Sequence, residues 1–178
     1  MDFIIRKAVP EDFKKTVDFY HCLIDSMKNA EYRPLWEKDV YPTREFIHDS
    51  IEKNELFVMT DNDLIIGSVV LNHHCEAGYS KVQWKVSAAA SEIMIVHILA
   101  VSADYQGKGL AKKMVEYSIE YGKSRGMKAI RLDVLPANIP AKNLYTRMGF
   151  IYMDTIQLFY EDTGLIDFLL YEYPLQEE

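Results

Sequence analysis

The stretch that decides the fold runs from residue 97 to residue 150 and reads HILAVSADYQGKGLAKKMVEYSIEYGKSRGMKAIRLDVLPANIPAKNLYTRMGF. It opens inside an apolar strand predicted over residues 92–101, passes a turn with two glycines, and enters a helix predicted over residues 110–124. Apolar residues recur in that helix at helical spacing, and Gly126 ends it. A second strand is predicted over residues 128–135, and a strand–helix–strand unit with short connections makes its two strands parallel.

The chain on either side of this unit predicts hairpins, which pair strands antiparallel. One hairpin turns at Asp61-Asn62-Asp63 and the other at residues 161–164, EDTG. The other predicted strands cover residues 2–8, 56–60, 64–72, 150–160 and 165–173, and the other helices open at Pro10 or cover residues 43–53 and 141–148. Residues 79–84 are predicted as a short strand or a loop. We therefore expect an α/β fold in a single domain over residues 1–178, with a mixed, mostly antiparallel sheet, a central parallel pair and flanking helices.

The composition is that of an ordinary globular protein of 178 residues, 49% hydrophobic and 26% charged. A net charge of −7 argues against partners that are nucleic acids or anionic membranes, because both need a positive surface. Cys22 and Cys75 are too few for a disulfide framework. No signal peptide is readable, and the longest apolar run, Ile93–Val101, is too short to span a bilayer, so we expect a cytoplasmic protein.

The turn QGKG between strand and helix favours a phosphate ligand. Glycines let the backbone bring N–H groups close to an anion, and the first turn of a helix adds unpaired N–H groups and the positive end of the helix dipole. Residues 105–115 contain three lysines and no acid, a local reversal of sign in an acidic chain. The dinucleotide pattern GxGxxG fails because Lys112 replaces the third glycine. These residues alone leave two alternatives. The turn binds a nucleotide, or it is a plain strand–helix turn in which the glycines serve only the backbone conformation.

Two motifs in this stretch resemble the GCN5-related N-acetyltransferase (GNAT) family. The signature (R/Q)xxGx(G/A) and, further along, NxxAxxLYxxxGF are matched by Gln106, Gly109 and Ala111, and by Asn138, Ala141, Leu144, Tyr145, Gly149 and Phe150. The resemblance implies a fold whose central strands splay apart, acetyl-CoA as cofactor, and N-acetyl transfer to an amine of a small molecule or peptide. The residues that it assigns to acetyl-CoA are Ile98, Leu99, Ala100 and Val101 for the pantetheine arm, Gln106, Gly107, Lys108, Gly109, Leu110 and Ala111 for the pyrophosphate, Asn138 for the amide chain, Lys142 for a phosphate, and Tyr145 near the sulfur.

The resemblance also implies catalytic roles. Tyr145 occupies the family's general-acid position, and a phenol with a pKa of about 10 is protonated at neutral pH and can donate to the departing thiolate. His97, in the central strand, is one candidate for the base. Strand alternation places it on the same face as Ile95 and Leu99, so a core histidine is an equal alternative. Glu92 is the other candidate base, acting through water, and a reaction without any base is also open.

Other residues receive weaker predictions. Asp133 lies two residues after Arg131 in a strand, which favours a sheet-face ion pair over a role with an active-site water. The run His73-His74-Cys75 contains residue types that bind metal ions. We expect no metal site there, because adjacent strand residues point to opposite faces of the sheet. Aromatic residues that could line an acceptor pocket are Tyr32, Trp36, Tyr41, Tyr160 and Tyr171, and acids that could attract a cation are Glu31, Glu37 and Asp39. A homodimer through the late strands ending in FLLYEYPL, and a CoA-sensing module that has lost its chemistry, are further possibilities.

Overall fold

The computed structural model describes residues 3–32 and 34–175 of the chain. Seven strands form one sheet in these residues. They are β1 (Ile4–Lys7), β2 (Leu56–Asp61), β3 (Leu64–Asn72), β4 (Ile93–Val101), β5 (Ala129–Val134), β6 (Ile151–Tyr160) and β7 (Gly164–Pro174). The helices are α1 (Phe13–Met27), α2 (Arg44–Glu52), α3 (Leu110–Ser124) and α4 (Ile139–Arg147).

The sheet order is β1-β2-β3-β4-β5-β7-β6, and every neighbouring pair is antiparallel except β4 with β5. This confirms the predicted mixed α/β sheet with one central parallel pair. The predicted start of the first strand, Asp2, lies outside the described residues. The segment predicted as a strand or loop forms a short 3₁₀ helix over Ala77–Lys81. The FLLYEYPL segment lies in β7 between β5 and β6, so the two edge strands of the sheet are β1 and β6 and not β7.

Each face of the sheet carries its own apolar core. One core packs α3 and α4 on the sheet through Met114, Val115 and Tyr145, among others. The opposite face is covered near β2–β4 by α1 and α2, and near β5–β7 by the segment that follows β3. At about 25 cal/mol per Å² of buried apolar surface, these two layers supply the main driving force of folding. No helix in the described residues is long and apolar enough to cross a membrane.

The two central strands pair over a short length and then part. Ile93–Ile95 of β4 pair with Ala129–Arg131 of β5, and no residue pair joins the two strands beyond that point in the described chain. The strands continue to Val101 and Val134, so their carboxyl halves open a gap in the middle of the sheet. This confirms the splayed pair that the family resemblance implies.

A β-bulge in β4 sets the direction of the side chains beside this gap. His97 pairs with Val70 and Ala100 with Ser68, so β4 has one residue more than β3 between the two pairs. Ile98 absorbs the extra residue with a φ of 45°. Its carbonyl accepts a hydrogen bond of 2.8 Å from the buried Tyr20 hydroxyl, which fixes the bulge.

Because of the bulge, the side chains along β4 do not alternate between the two faces of the sheet as predicted. His97 lies beside Phe46 of α2, with ring centroids 6.3 Å apart. Leu99 packs in the core with α3 and α4, on the opposite face of the sheet. The prediction that His97 and Leu99 share a face was wrong, because the extra residue at Ile98 reverses the alternation.

Candidate active site

The gap between β4 and β5 opens into a cavity of about 630 Å³. Residues from α1, the segment before α2, β4, the QGKG turn, α3, β5 and α4 line it. The predicted cofactor residues in its wall are Ile98, Leu99, Ala100, Val101, Gln106, Gly107, Gly109, Leu110, Ala111, Asn138 and Tyr145. The volume falls within the range of ligand cavities, and chemically different groups meet in it.

One end of the cavity is formed by the QGKG turn and the start of α3. Gly107 and Gly109 have φ values of 77° and 74°, which L side chains rarely adopt. Gly109 caps α3, and the first intrahelical bond runs from Lys113 N to Gly109 O, so the N–H groups at positions 110–112 are free for an anion. This end therefore suits a pyrophosphate, as predicted from the turn.

Two lysines of the predicted cofactor set lie outside the cavity wall. Lys108 Nζ sits 4.5 Å from the ring centroid of Tyr105. Lys142 Nζ donates 3.3 Å to the Pro136 carbonyl. Lys112, on the first turn of α3, lines the cavity and brings positive charge to this end, although it pairs with Glu116 at 3.2 Å.

Asn138 and Tyr145 lie at the edges of α4. The Asn138 side chain caps that helix, because its Oδ1 accepts from Ala141 N at 3.3 Å. Tyr145 is buried, packs edge-on against Phe150, and lines the cavity. Within residues 3–32 and 34–175 its hydroxyl makes no hydrogen bond. Burial, with a smaller contribution from Asp133, raises the pKa of Tyr145, so the phenol is protonated and able to donate.

His97 lines the cavity with a fixed tautomer. Its Nε2 lies 3.0 Å from Asn72 Oδ1 and 2.9 Å from the His74 carbonyl. Both partners are acceptors, so we assign the proton to Nε2 and the lone pair to Nδ1. Burial lowers the pKa of His97 to about 4, which keeps the ring neutral at physiological pH.

Glu92 is not brought to the cavity. It sits at the amino end of β4, accepts from Ala89 N at 2.9 Å, and pairs with Lys128 at 2.8 Å. These contacts hold the pKa of Glu92 below its usual range. The gap lies at the carboxyl end of β4, so Glu92 lies at the opposite end of this strand from the cavity.

The other end of the cavity holds a carboxylate whose neighbours the sequence did not predict. Asp133 Oδ2 accepts hydrogen bonds from the hydroxyls of Tyr79, at 2.8 Å, and Tyr160, at 2.9 Å. Burial raises the pKa of Asp133 to about 6, against the lowering effect of the two hydrogen bonds. The predicted ion pair with Arg131 is absent, because Arg131 Nε donates 2.8 Å to Glu172 instead.

Aromatic rings surround this end. Of the five aromatic residues predicted for an acceptor pocket, Tyr32, Trp36, Tyr41 and Tyr160 line the cavity, and Phe168 joins them. Tyr171 packs against Tyr152 in the sheet instead, with centroids 5.9 Å apart. Asp39, one of the predicted acids, pairs with Arg44 at 2.7 Å, and the acids in the wall are Asp133 and Asp162.

The His73-His74-Cys75 run makes ordinary contacts. His73 Nδ1 lies 2.7 Å from the Ile93 carbonyl, and Cys75 is a free, exposed thiol. Within the part of the chain that the structure describes, no three histidine, cysteine or acidic side chains are grouped as metal ligands.

The chain also matches known proteins. A model of the acetyltransferase (GNAT) family matches residues 22–150. The chain belongs to the GNAT family. This GNAT protein is 30% identical over 151 residues to a streptothricin acetyltransferase of Escherichia coli, across 80% of this chain and 78% of that one. It is 28% identical over 132 residues to N-alpha-acetyltransferase 30 of Schizosaccharomyces pombe, across 74% of this chain and 79% of that one.

Solved structures share the fold. An acetyltransferase of Salmonella typhimurium, solved with its cofactor acetyl-CoA, superposes with a TM-score of 0.72 at 16% identity, over 100% of this chain and 96% of that one. The family match makes this chain an acetyltransferase of the GNAT family. Its residues fit an acetyl-CoA donor, because the N–H groups at the start of α3 and the unpaired edge of β4 supply donors for phosphate and amide groups.

Proposed function

We propose that this enzyme transfers the acetyl group of acetyl-CoA directly to a primary amine inside the cavity between β4 and β5. The observation that carries the proposal is the layout of that single cavity. Its phosphate-binding turn is at one end, its buried carboxylate and aromatic rings are at the other, and Tyr145 lines the wall. Direct transfer needs both substrates in one chamber, because proximity replaces a covalent enzyme intermediate.

Specific residues are proposed for each part of acetyl-CoA binding. The backbone of Ile98–Val101 would bind the pantetheine arm as an added strand, and residues 106–111 would bind the pyrophosphate. Asn138 would contribute through its backbone, because its side-chain oxygen already caps α4. Lys108 and Lys142 lie near this end and would contact phosphates only after leaving their present partners.

Tyr145 is proposed as the general acid. Acetyl-CoA supplies an activated acyl carbon with a thiolate leaving group, and the protonated Tyr145 hydroxyl is the donor that this thiolate needs. His97 is proposed to act through the neutral Nδ1, either by accepting a proton or by holding water. Glu92 is not proposed as the base, because its contacts hold it at the far end of β4.

Tyr145→Phe tests the acid role. The variant keeps the ring and its packing on Phe150 but loses the proton, so we expect kcat to fall about 100-fold or more while acetyl-CoA affinity is unchanged. Tyr117→Phe, on α3 beside Phe57 and outside the cavity wall, is the matched control and should keep full activity. Equal turnover in the two variants would remove Tyr145 from the mechanism.

Calorimetric titration tests the proposal as a whole. Acetyl-CoA should bind saturably, whereas NAD and ATP should not, and the addition of amines should release free CoA thiol. A preference for NAD or ATP would instead identify the QGKG turn as a nucleotide-binding site. Binding of acetyl-CoA without thiol release on any of a broad range of amines would identify a CoA-sensing module instead.

The place and assembly of the enzyme are part of the proposal. Free thiols at Cys22 and Cys75 support the cytoplasm, where thiols stay reduced. Ile151, Tyr152 and Phe159 are exposed on the edge strand β6, which supports a homodimer at that edge. Light scattering on Phe159→Lys against the parent chain tests the dimer, since a monomeric parent would refute it.

A further inference from the structure

The carboxylate end of the cavity carries information about the acceptor. Given the proposed function, this end faces the acyl carbon from the side opposite the phosphate-binding turn. Both motifs of the donor site lie within residues 106–150, whereas Tyr79, Tyr160 and Asp162 come from the segment after β3 and from the β6–β7 hairpin. The contacts of these residues with Asp133 and with the cavity therefore bear on the acceptor.

We propose that the acceptor is a small cationic amine on an apolar or aromatic carbon frame without a carboxylate beside the amine, and that Asp133 binds its ammonium group and takes its proton. The geometry of Asp133, the charge around it, and the rings beside it carry this proposal.

Asp133 has one oxygen committed and one available. Both hydrogen bonds from Tyr79 and Tyr160 end on Oδ2. Oδ1 accepts no hydrogen bond from residues 3–32 or 34–175, and Asp133 lines the cavity. A half-buried carboxylate with an open acceptor is destabilising unless a donor, from solvent or from a ligand, reaches it. An ammonium group, with its three N–H donors, fits that position.

The charge at this end is one-sided. Every element packed around Asp133 contributes a titratable group that faces it. These groups are Tyr79 and Glu76 before β4, Tyr41 before α2, Tyr145 on α4, Tyr160 on β6, and Arg131 on the same strand as Asp133. Arg131 is held by Glu172 at 2.8 Å. Among described residues, this end of the wall contains Asp133 and Asp162 and no lysine or arginine. An α-carboxylate on the acceptor would meet both acids and be repelled.

Asp162 strengthens this argument at the cavity rim. Its Oδ1 is buried without a hydrogen-bond partner in the described residues, and burial raises the pKa of its carboxyl. Trp36, Tyr41 and Tyr160 form aromatic walls nearby, and such walls attract cations and cover apolar carbon. A second cationic group on the acceptor would find Asp162, whereas the described residues at this end of the cavity wall offer an anionic group no lysine or arginine.

The proton balance of the transfer follows. The ammonium gives one proton to Asp133, and the neutral nitrogen attacks the acyl carbon, so that the C–N bond forms and the C–S bond breaks. Tyr145 protonates the thiolate and regains a proton from the second N–H of the amine through water. Asp133 returns its proton to solvent, so the net products are the amide, CoA thiol and one free proton.

Paired amines test the inference. Tyramine and tyrosine differ by one α-carboxylate, as do phenethylamine and phenylalanine. We expect acetylation of the amine of each pair with kcat/KM at least about tenfold above that of the amino acid. Asp133→Asn should lower amine kcat/KM by about 100-fold or more and leave acetyl-CoA affinity unchanged. Asp167→Asn, on the exposed side of β7, is the matched control and should behave as the parent.

Direct binding separates this inference from the proposed function. Tyramine should bind the protein without acetyl-CoA, and Asp133→Asn should abolish that binding. If acetyl-CoA does not bind but tyramine binding depends on Asp133, the donor assignment fails and the cation site stands. If acetyl-CoA binds and no amine of either pair binds or reacts, or if the amino acids are preferred, the inference is overturned and the donor assignment stands.

The pH profile of Tyr160→Phe gives a measurement that would not change if Asp133 had only a structural role. Tyr160 donates to the ionised carboxylate, so its loss raises the pKa of Asp133. The acid limb of kcat/KM against pH should therefore shift to higher pH in Tyr160→Phe and disappear in Asp133→Asn. An acid limb that stays in place in both variants would show that Asp133 is not the base.

Discussion

Replacing Asp133 by asparagine should change how the free energy of unfolding depends on pH. Burial raises the pKa of this carboxyl from its ordinary value of 3.8 to about 6. A carboxyl with a raised pKa holds its proton more tightly when folded, so its contribution to stability is complete below pH 3.8 and is lost as pH rises through 6. The difference between the two pKa values corresponds to about 3 kcal/mol, of which about 2 kcal/mol falls between pH 4 and 7.

Urea unfolding at pH 4, 5, 6 and 7 measures this effect as a difference between variants. Asparagine does not titrate, so the parent should lose about 2 kcal/mol relative to Asp133→Asn across this range. His97 is present in both chains, and its own titration cancels to first order in the difference. Asp167→Asn removes one exposed carboxylate from the same sheet and should show a much smaller trend.

The sign of the difference decides the outcome. If Asp133→Asn loses stability relative to the parent as pH rises, the ionised carboxylate is favoured by the fold. The hydrogen bonds from Tyr79 and Tyr160 would then outweigh burial, and the argument for a carboxylate that waits for a cation would fail.

Three further substitutions test the fold around the site. Gly109→Ala should lower the free energy of unfolding in urea by about 1 kcal/mol, because the backbone there has a φ of 74°. Gly109→Asn should lower it less, since asparagine tolerates that conformation. Equal losses in the two variants would refute backbone strain as the cause. Tyr20→Phe should cost about 1–3 kcal/mol, because it leaves the buried Ile98 carbonyl without its donor, and a neutral result would show that water replaces the hydroxyl. Arg131→Met should lower the free energy of unfolding by about 3–5 kcal/mol, because the fully buried Glu172 loses its charged partner. A second substitution, Glu172→Leu, should restore most of that free energy. No recovery in the double variant would contradict the ion-pair argument.

The elements that the sequence predicted well are those with local signals. α3 and β3 have the predicted bounds, because apolar periodicity and the turns at their ends are all contained within a few residues. The parallel pairing of β4 with β5 follows from the strand–helix–strand order. The predicted pyrophosphate site could be proposed from the sequence for the same reason, since Gln106–Ala111 is one continuous segment.

The bulge at Ile98 could not be read from the chain. Isoleucine is a strong strand former and rarely adopts a φ of 45°, so nothing local marks the extra residue. The bulge is held by Tyr20, which lies far away in sequence on α1. One such residue was enough to put Leu99 on the wrong face in the prediction.

The neighbours of Asp133 were not predicted because its contacts are long-range. Period-two spacing favoured an ion pair between Arg131 and Asp133, but the structure gives Arg131 a partner on β7 and gives Asp133 two tyrosines from separate segments. A usable signal was present, because Arg131 and Asp133 are the two charged residues of the apolar run AIRLDVL, and a charge in such a strand needs a partner. The identity of those partners depends on the sheet order, which brings residues 79, 133 and 160 together.

The parting of β4 from β5 also divides the molecule into two blocks with separate backbone pairing, β1–β4 and β5–β7. Three residue pairs connect them across the sheet, against nine between β6 and β7. Proteins open locally in cooperative units of unequal stability, and a joint of three residue pairs gives the two blocks little shared backbone pairing. Under the proposed function, acetyl-CoA in the gap would contact both blocks and stabilise their closed arrangement by mass action. We therefore expect acetyl-CoA to make the two blocks unfold more nearly as one unit.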